Sequence, residues 1–347
     1  MAVKRYNGTS WVVEAGSQGI TYSATAPTAP AQGDIWVSTT DINTFDSLVQ
    51  TGNRNVIING TGKVTQRGAN SSISSPNTYY NGGPDRWQVS LSALTGATFT
   101  GNVTSPGSNP PNATCMSLGG TLGGTGNSLT FRQRIEAANS AHLAGSTVTV
   151  SFWVYQTALA STLTNYITLN YATAQDNFAS VTAIGSSSTV SVSQNTWQKI
   201  TATFTIPSAA TTGLELLLIF GGSSGTGSGT YYLTNIQLEA GSVATPFETR
   251  PYGQELALCQ RYYVSETCQI NGYTDQAGTP STTRYYSVWL PATMRTAPLS
   301  ANISGTTAAG AATVYGTPTA RQISFSRVVG TTSLGTDLTS YNASAEL

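Results

Sequence analysis

Charge is scarce in this sequence. Only 9% of its residues are Asp, Glu, Lys or Arg, against about 25% in an average soluble protein, and the 15 basic residues balance the 15 acidic ones. A nucleic-acid binder needs a basic surplus to displace counterions from phosphates, and a polybasic membrane-surface protein needs the same surplus, so both classes are set aside. Long apolar runs are missing too. The longest aliphatic stretch, LELLLIF at 214–220, is far short of the roughly 20 residues that span a bilayer. The opening MAVKRYNGTSW holds no apolar signal segment, which points to synthesis in a cytoplasm. The single histidine, His142, sits in the polar stretch AANSAHLAGS without a Ser or Cys nucleophile and carboxylate orienter beside it, and reads as a solvated loop residue rather than a catalytic one. The three cysteines, Cys115, Cys259 and Cys268, cannot all pair and lack the CxxC grouping of a zinc site. They read as packed thiols, with a Cys259–Cys268 disulfide as the alternative. No acidic run of the DxDxD kind suggests calcium, so metal and cofactor are left at none.

What the chain does have is alternation. In TVTVSFWVYQ, Val148, Val150, Phe152 and Val154 share one face of a strand, and Thr149, Ser151, Trp153 and Tyr155 share the other. QKITATFTIP repeats the pattern with Ile200, Ala202, Phe204 and Ile206, GLELLLIFGG with Leu214, Leu216, Leu218 and Phe220, and YYLTNIQLEAG with Tyr232, Thr234, Ile236 and Leu238. Strands separated by Gly, Asn and Ser clusters predict a sandwich rather than strand-helix units. The expected class is all-β, in three units: 1–50, an extended N-terminal arm interrupted by Pro27 and Pro30; 51–253, the sandwich body; and 254–347, a short helix followed by a small C-terminal β domain. Leu256, Cys259 and Tyr263 lie at i, i+3 and i+7, the stripe of a helix that must bury itself against something.

The block VTVSFWVY … NTWQKITATFTIP … TYYLTNIQLEAGSVATPFETRPYGQELALCQRYY resembles the jelly-roll, carbohydrate-binding-module-like domain of tailed-bacteriophage fibres and virion surface proteins. The likeness spans residues 1–263 and is firmest over 145–263, with NIQLEAGSVATPFE followed by ELALCQRYY as its most specific part. VKRYNGTSWVV and SATAPTAPAQGDIWVSTTD look like the attachment segments of such proteins, and LPATMRTAPLS like their terminal β domains. The resemblance implies a jelly roll, a place on the virion surface, and a homotrimer with Leu256, Cys259 and Tyr263 on the three-fold axis. It also implies attachment to another virion protein through an arm anchored by Tyr6, Trp11, Ile35 and Trp36. A trimeric tail fibre that attaches to host surface glycan is the favoured reading, and a capsid decoration or head-fibre protein without a receptor is the alternative.

Sugars stack on aromatic rings while amides and charged groups satisfy their hydroxyls. That chemistry makes Trp153, Tyr155, Tyr166 and Asn170 candidates on the body, with Trp153 and Tyr155 next in pattern either to Tyr166, Thr168 and Asn170 or to Asn235, Gln237 and Glu239, and Tyr273, Asp275, Arg284, Tyr286 and Trp289 candidates in the C-terminal unit. Tyr285 and Tyr286 must point to opposite faces of any strand. A glycan depolymerase would need two carboxylates facing a cleft, and none of Asp85, Glu136, Glu215, Glu239 or Glu248 lies in a motif that sets such a geometry.

Overall fold

The computed structural model describes residues 4–6, 11–13, 20–23, 35–38, 54–73, 78–79, 82–92, 97–123, 128–157, 163–222, 226–272, 282–298, 300–304, 312–329 and 335–347. In the N-terminal unit four short strands, β1(Lys4–Tyr6), β2(Trp11–Val13), β3(Ile20–Ser23) and β4(Ile35–Ser38), pair in the order β2-β1-β4-β3. The segment expected as an extended arm thus makes its own ladder. It sets Tyr6 opposite Trp11 and Lys4 opposite Trp36, while Pro27 and Pro30 lie outside the described residues.

The chain is all-β, and its body is a jelly-roll sandwich of two six-stranded sheets. The first sheet contains β5(Asn70–Ile73), β8(Ala97–Thr104), β9(Thr114–Gly123), β11(Thr147–Gln156), β14(Gln198–Thr205) and β16(Thr226–Ala240), in the order β14-β11-β16-β9-β8-β5. The second contains β6(Thr78–Tyr79), β7(Gln88–Ser92), β10(Ser128–Ile135), β12(Leu163–Ala174), β13(Asn177–Ser186) and β15(Leu214–Gly222), in the order β13-β12-β15-β10-β7-β6. Between them Val148, Val150, Phe152 and Val154 of β11 share one core with Leu214, Leu216, Leu218 and Phe220 of β15, as the alternation predicts. Phe131 holds the centre, edge-on to Phe99 at 5.7 Å and to Phe220 at 5.8 Å.

β16 departs from simple alternation. Its register on β11 slips between Ser151 and Trp153, and Asn235 takes a left-handed φ of 55°. Such a bulge reverses the facing of every later side chain. The core therefore receives Tyr231 and Leu233 before the slip and Ile236 and Leu238 after it, so the expected set Tyr232, Thr234, Ile236 and Leu238 is split across two faces. Gly60 backs the bulge: Ile236 N donates to Gly60 O at 3.0 Å, and a Cβ on residue 60 would sit 2.3 Å from Ile236 O.

Leaving β16, the chain folds back over the outer side of the first sheet. Glu239 accepts bonds from the Thr245 amide, the Thr245 hydroxyl and Gln237 Nε2, and pairs with Arg54 at 3.2 Å. The helix Tyr252–Gln260 follows. Its Glu255, in the first turn, accepts the Asn59 amide and faces Arg250. The apolar stripe of this helix packs inside the chain: Cys259 is fully buried with Ile58, Val64 and Tyr262, and Leu256 and Leu258 pack against them. Tyr263 opens the next strand, with the Arg67 guanidinium 3.5 Å from its ring centre. Cys259 is therefore spent in the chain's own core, while Leu256 and Tyr263 are half-buried. Cys259 is a free thiol, which removes the Cys259–Cys268 disulfide, and burial pushes its ionisation well up.

The C-terminal head is a small sandwich. One sheet has the order β17-β22-β19, from β17(Tyr263–Gly272), β19(Ser300–Ser304) and β22(Gly335–Ser344). The other has the order β18-β21-β20, from β18(Thr282–Trp289), β20(Ala312–Val314) and β21(Gln322–Val329). Val264, Leu290, Met294, Ile323, Tyr341 and Ala343 fill its core. The head returns to the body through Glu346, which pairs with Arg67 at 3.1 Å and with the buried Arg86. Arg86 also lies 3.5 Å over the Tyr262 ring and donates to Arg134 O.

Asp85 sits at the same junction, accepting Gln66 N at 3.0 Å and Gln66 Nε2 at 2.6 Å, while that amide also donates to Tyr263 O. Burial, opposed by the Gln66 bonds and Arg67, raises its carboxyl from 3.8 to about 6. Between those values the folded chain keeps a proton that the unfolded chain has released, so this group's contribution to stability falls as pH rises through the window. Asp85→Asn removes the titration. Urea midpoints at pH 3.5 and pH 7 are expected to show the wild type losing about 3 kcal/mol relative to the variant on the way up.

Candidate functional site

Each sheet of the body has an outer face, and the two differ in access. On the first sheet Gln237 and Glu239 are completely buried beneath residues 241–250, and Thr149 and Ser151 are buried with them. Farther along, Tyr155 is closed in by Trp197 at 5.5 Å, by Tyr232 at 5.9 Å and by Gly107, and Trp197 Nε1 donates to Pro106 O. Trp153 stands half-buried between Lys199 and Thr234. This face is largely spent on loop packing.

The outer face of the second sheet is more open, and its registers bring polar and apolar groups into cross-strand rows. Tyr166, Ile219, Thr130 and Ser90 form one row across β12, β15, β10 and β7. Ser186, Thr168, Leu217, Arg132 and Gln88 form the next, with β13 added, and Asn170, Glu215 and Arg134 a third. Tyr166, Thr168, Leu217, Ile219, Arg132, Gln88 and Ser90 are half-buried. Charge is concentrated at one end, where Glu215 faces Arg134 at 3.1 Å and Arg132 at 3.4 Å and accepts Asn170 Nδ2 at 3.1 Å. Arg132 also donates to Gln88 Oε1 at 3.2 Å. Arg134 is turned away toward Leu347 O and the Phe178 ring, leaving Arg132 as the guanidinium of the open rows. Tyr166 and Ile219 supply apolar surface, and Thr168, Ser186, Ser90 and Gln88 supply hydrogen bonds beside it. That is the composition that a polyhydroxylated ring recognises.

The structure therefore separates residues the sequence had grouped. Trp153 and Tyr155 are on the first sheet and Tyr166 and Asn170 on the second, on opposite sides of the body. Arg132, Gln88 and Glu215 complete the Tyr166 face without having been chosen. In the head, Tyr286 stacks on Phe325 at 5.5 Å and looks inward, while Trp289 is exposed on the other side of the same strand. Arg284 lies on β18, and Tyr273 and Asp275 fall outside the described residues.

The carboxylates weighed for hydrolysis each have a structural partner: Glu136 with Arg261 at 2.8 Å, Glu215 with Arg132 and Arg134, Glu239 with Arg54, Glu248 with Arg250, and Asp85 with Gln66. His142 lines a groove with Asn55, Val56, Asn139, Arg250 and Leu258. Among the described residues no three His, Cys, Asp or Glu side chains gather closely enough to hold a metal ion.

The body is thus an all-β jelly-roll sandwich with one open, amphipathic sheet face. Residues 143–225 match the family model described as a carbohydrate binding domain, a stretch that supplies β11 to β15 and so Tyr166, Asn170, Glu215 and Leu217. Among solved structures the chain is similar to the enzymatically active domain of tailspike protein 4 of bacteriophage CBA120, at 14% identity and a TM-score of 0.32, over 54% of this chain and 21% of that one. The chain thus spans about a fifth of that tailspike. It is also similar to the C-terminal family 22 carbohydrate binding module of Clostridium thermocellum Xyn10B, at 14% identity, a TM-score of 0.32, and coverage of 56% of this chain and 99% of that one. The family 22 xylan-binding domain of Paenibacillus barcinonensis Xyn10C is similar at 11% identity, a TM-score of 0.30, and coverage of 53% and 99%. No curated protein matches the chain.

Proposed function

We propose that the chain is a glycan-binding component of a phage virion surface, acting by binding rather than by catalysis, with the outer face of the second sheet as its polysaccharide site. The observation that carries this reading is the set of aligned rows on that face. Tyr166 and Ile219 give a stacking floor, and Thr168, Arg132 and Gln88 give hydroxyl-satisfying groups one row away. The carbohydrate-binding match over residues 143–225 supports it. The virion placement draws its support from the likeness of NIQLEAGSVATPFE and ELALCQRYY to phage fibre proteins.

In this reading the N-terminal sheet attaches the protein to another virion component, and three copies assemble so that weak sites add through avidity. Cys259 is too buried to serve such a trimer, and light scattering of the purified chain gives the copy number directly. The test of the site is binding of the full chain to an array of bacterial surface polysaccharides. Arg132→Ala and Tyr166→Ala are each expected to weaken the strongest signals about tenfold, as befits loss of one charge-assisted bond or one stacking ring. Wild-type binding by both variants removes this face as the site.

A further inference from the structure

Six large hydrophobic side chains among the described residues are exposed, and three of them share one face of the head. On β18, Tyr285, Ser287 and Trp289 alternate outward while Tyr286 and Val288 turn inward, Tyr286 against Phe325 and Val288 against the head core. The neighbouring strand sets Ser326 opposite Tyr285, Ser324 opposite Ser287 and Gln322 opposite Trp289. The next strand places Thr313 beside Ser326, and Tyr315 donates its amide to Ser324 O. Tyr285, Trp289 and Tyr315 are 61%, 70% and 54% exposed, too much for core residues. Tyr285 and Tyr315 pair with ring centres 4.6 Å apart, forming one aromatic end, and Trp289 forms the other. Four residues of strand separate Tyr285 from Trp289, about 13 Å. The hydroxyl pair Ser287 with Ser324, at 2.9 Å, lies in the row between the ends, and the pair Ser326 with Thr313, at 3.2 Å, continues the row of Tyr285.

We propose that this face of the head is a binding platform for neutral oligosaccharides, distinct from the face on the body. A hydroxyl has one donor and two acceptor positions, so each pair retains capacity toward an incoming sugar hydroxyl. The flanking rings offer flat apolar surface to the C–H face of a pyranose. None of the eight outward positions is charged, which selects a neutral ligand over an acidic one. A dry protein interface would bury both hydroxyl pairs and Gln322 along with the rings, where unmet hydrogen bonds are costly, whereas a sugar chain meets them. This site stands independently of the Tyr166 face.

The test is a microarray of neutral oligosaccharides probed with the full chain, with Trp289→Ala and Tyr285→Ala as variants and Tyr166→Ala as the control on the other face. Both head variants replace exposed residues, so thermal unfolding is expected to be unchanged. At least one glycan should lose about tenfold in affinity with each head variant and keep wild-type affinity with Tyr166→Ala. Three results overturn the proposal: no neutral glycan bound, binding indifferent to Trp289→Ala, or a fall in assembly mass for Trp289→Ala in light scattering, which would give the face to a second copy of the chain.

Discussion

Arg86→Ala is expected to uncouple the head from the body and to cost about 3–5 kcal/mol, the penalty for leaving the buried Glu346 carboxylate without its main partner. Arg86 is 1% exposed and unites three elements: Glu346 from the end of the head, the Tyr262 ring after the helix, and Arg134 O in the second sheet. Arg67 remains near Glu346 but faces Tyr263 and lies closer to solvent, so it compensates only in part. Calorimetry should resolve two transitions where the wild type gives one, and limited proteolysis should cut between body and head. Arg86→Met combined with Glu346→Leu is expected to recover most of the loss, because an apolar pair carries no desolvation penalty. An Arg86→Ala chain that unfolds like the wild type would show that the head is held by its other links to the body, such as Arg67 to Glu346, Gln66 Nε2 to Tyr263 O and Arg134 to Leu347 O.

The second large effect is expected at Glu239→Ala, again about 3–5 kcal/mol. Glu239 has no exposed surface, and its two oxygens gather the Thr245 amide and hydroxyl, Gln237 Nε2 and Arg54. Removing it leaves a cation and three donors under the turn that leads to the helix. Hydrogen exchange should rise selectively at 242–250, where the chain crosses the outer side of the first sheet, and stability should fall with it. Glu239→Gln keeps one acceptor, so its effect should be intermediate. Uniform exchange across the body would instead mean that the network serves the sheet as a whole.

Both effects lie in stretches whose role the sequence showed only in part. NIQLEAGSVATPFE carries the most specific part of the sequence resemblance, and its physical content is a latch: Gln237 and Glu239 grip Thr245, and Gln237 receives the Glu248 amide. The faces of β11, β14 and β15 were legible because period-two alternation needs only one strand to be read. β16 was not, since a bulge at one Asn carries no hydropathy signal and yet reverses the facing of the remaining strand. The helix was legible for the same reason as the strands, but a stripe at i, i+3 and i+7 says that something is covered, not what covers it. The candidate site failed at the next level. Alternation tells which residues of one strand share a face, while the neighbours of that face depend on strand order, so the choice between Tyr166 and Gln237 as neighbours of the Trp153 face stayed open until the register set β16 beside β11. A cue for Arg132 was present: in a chain this poor in charge, the alternating arginines of SLTFRQRI mark a face that is not simply solvated.

The strand pairing of the head has one more consequence. Tyr263 at its entry lies directly opposite Ser344 at its exit, and from there the two strands pair outward to Gly272 and Gly335. The head therefore leaves and rejoins the body through one doorway. Arg295, from inside the head, closes that doorway: its amide donates to Arg261 O and its guanidinium to Ala345 O at 3.0 Å and Glu346 O at 3.4 Å. Entry, exit and this arginine thus meet at one hinge point, so the orientation of the whole head is set by a handful of bonds beside Tyr263 and Ser344.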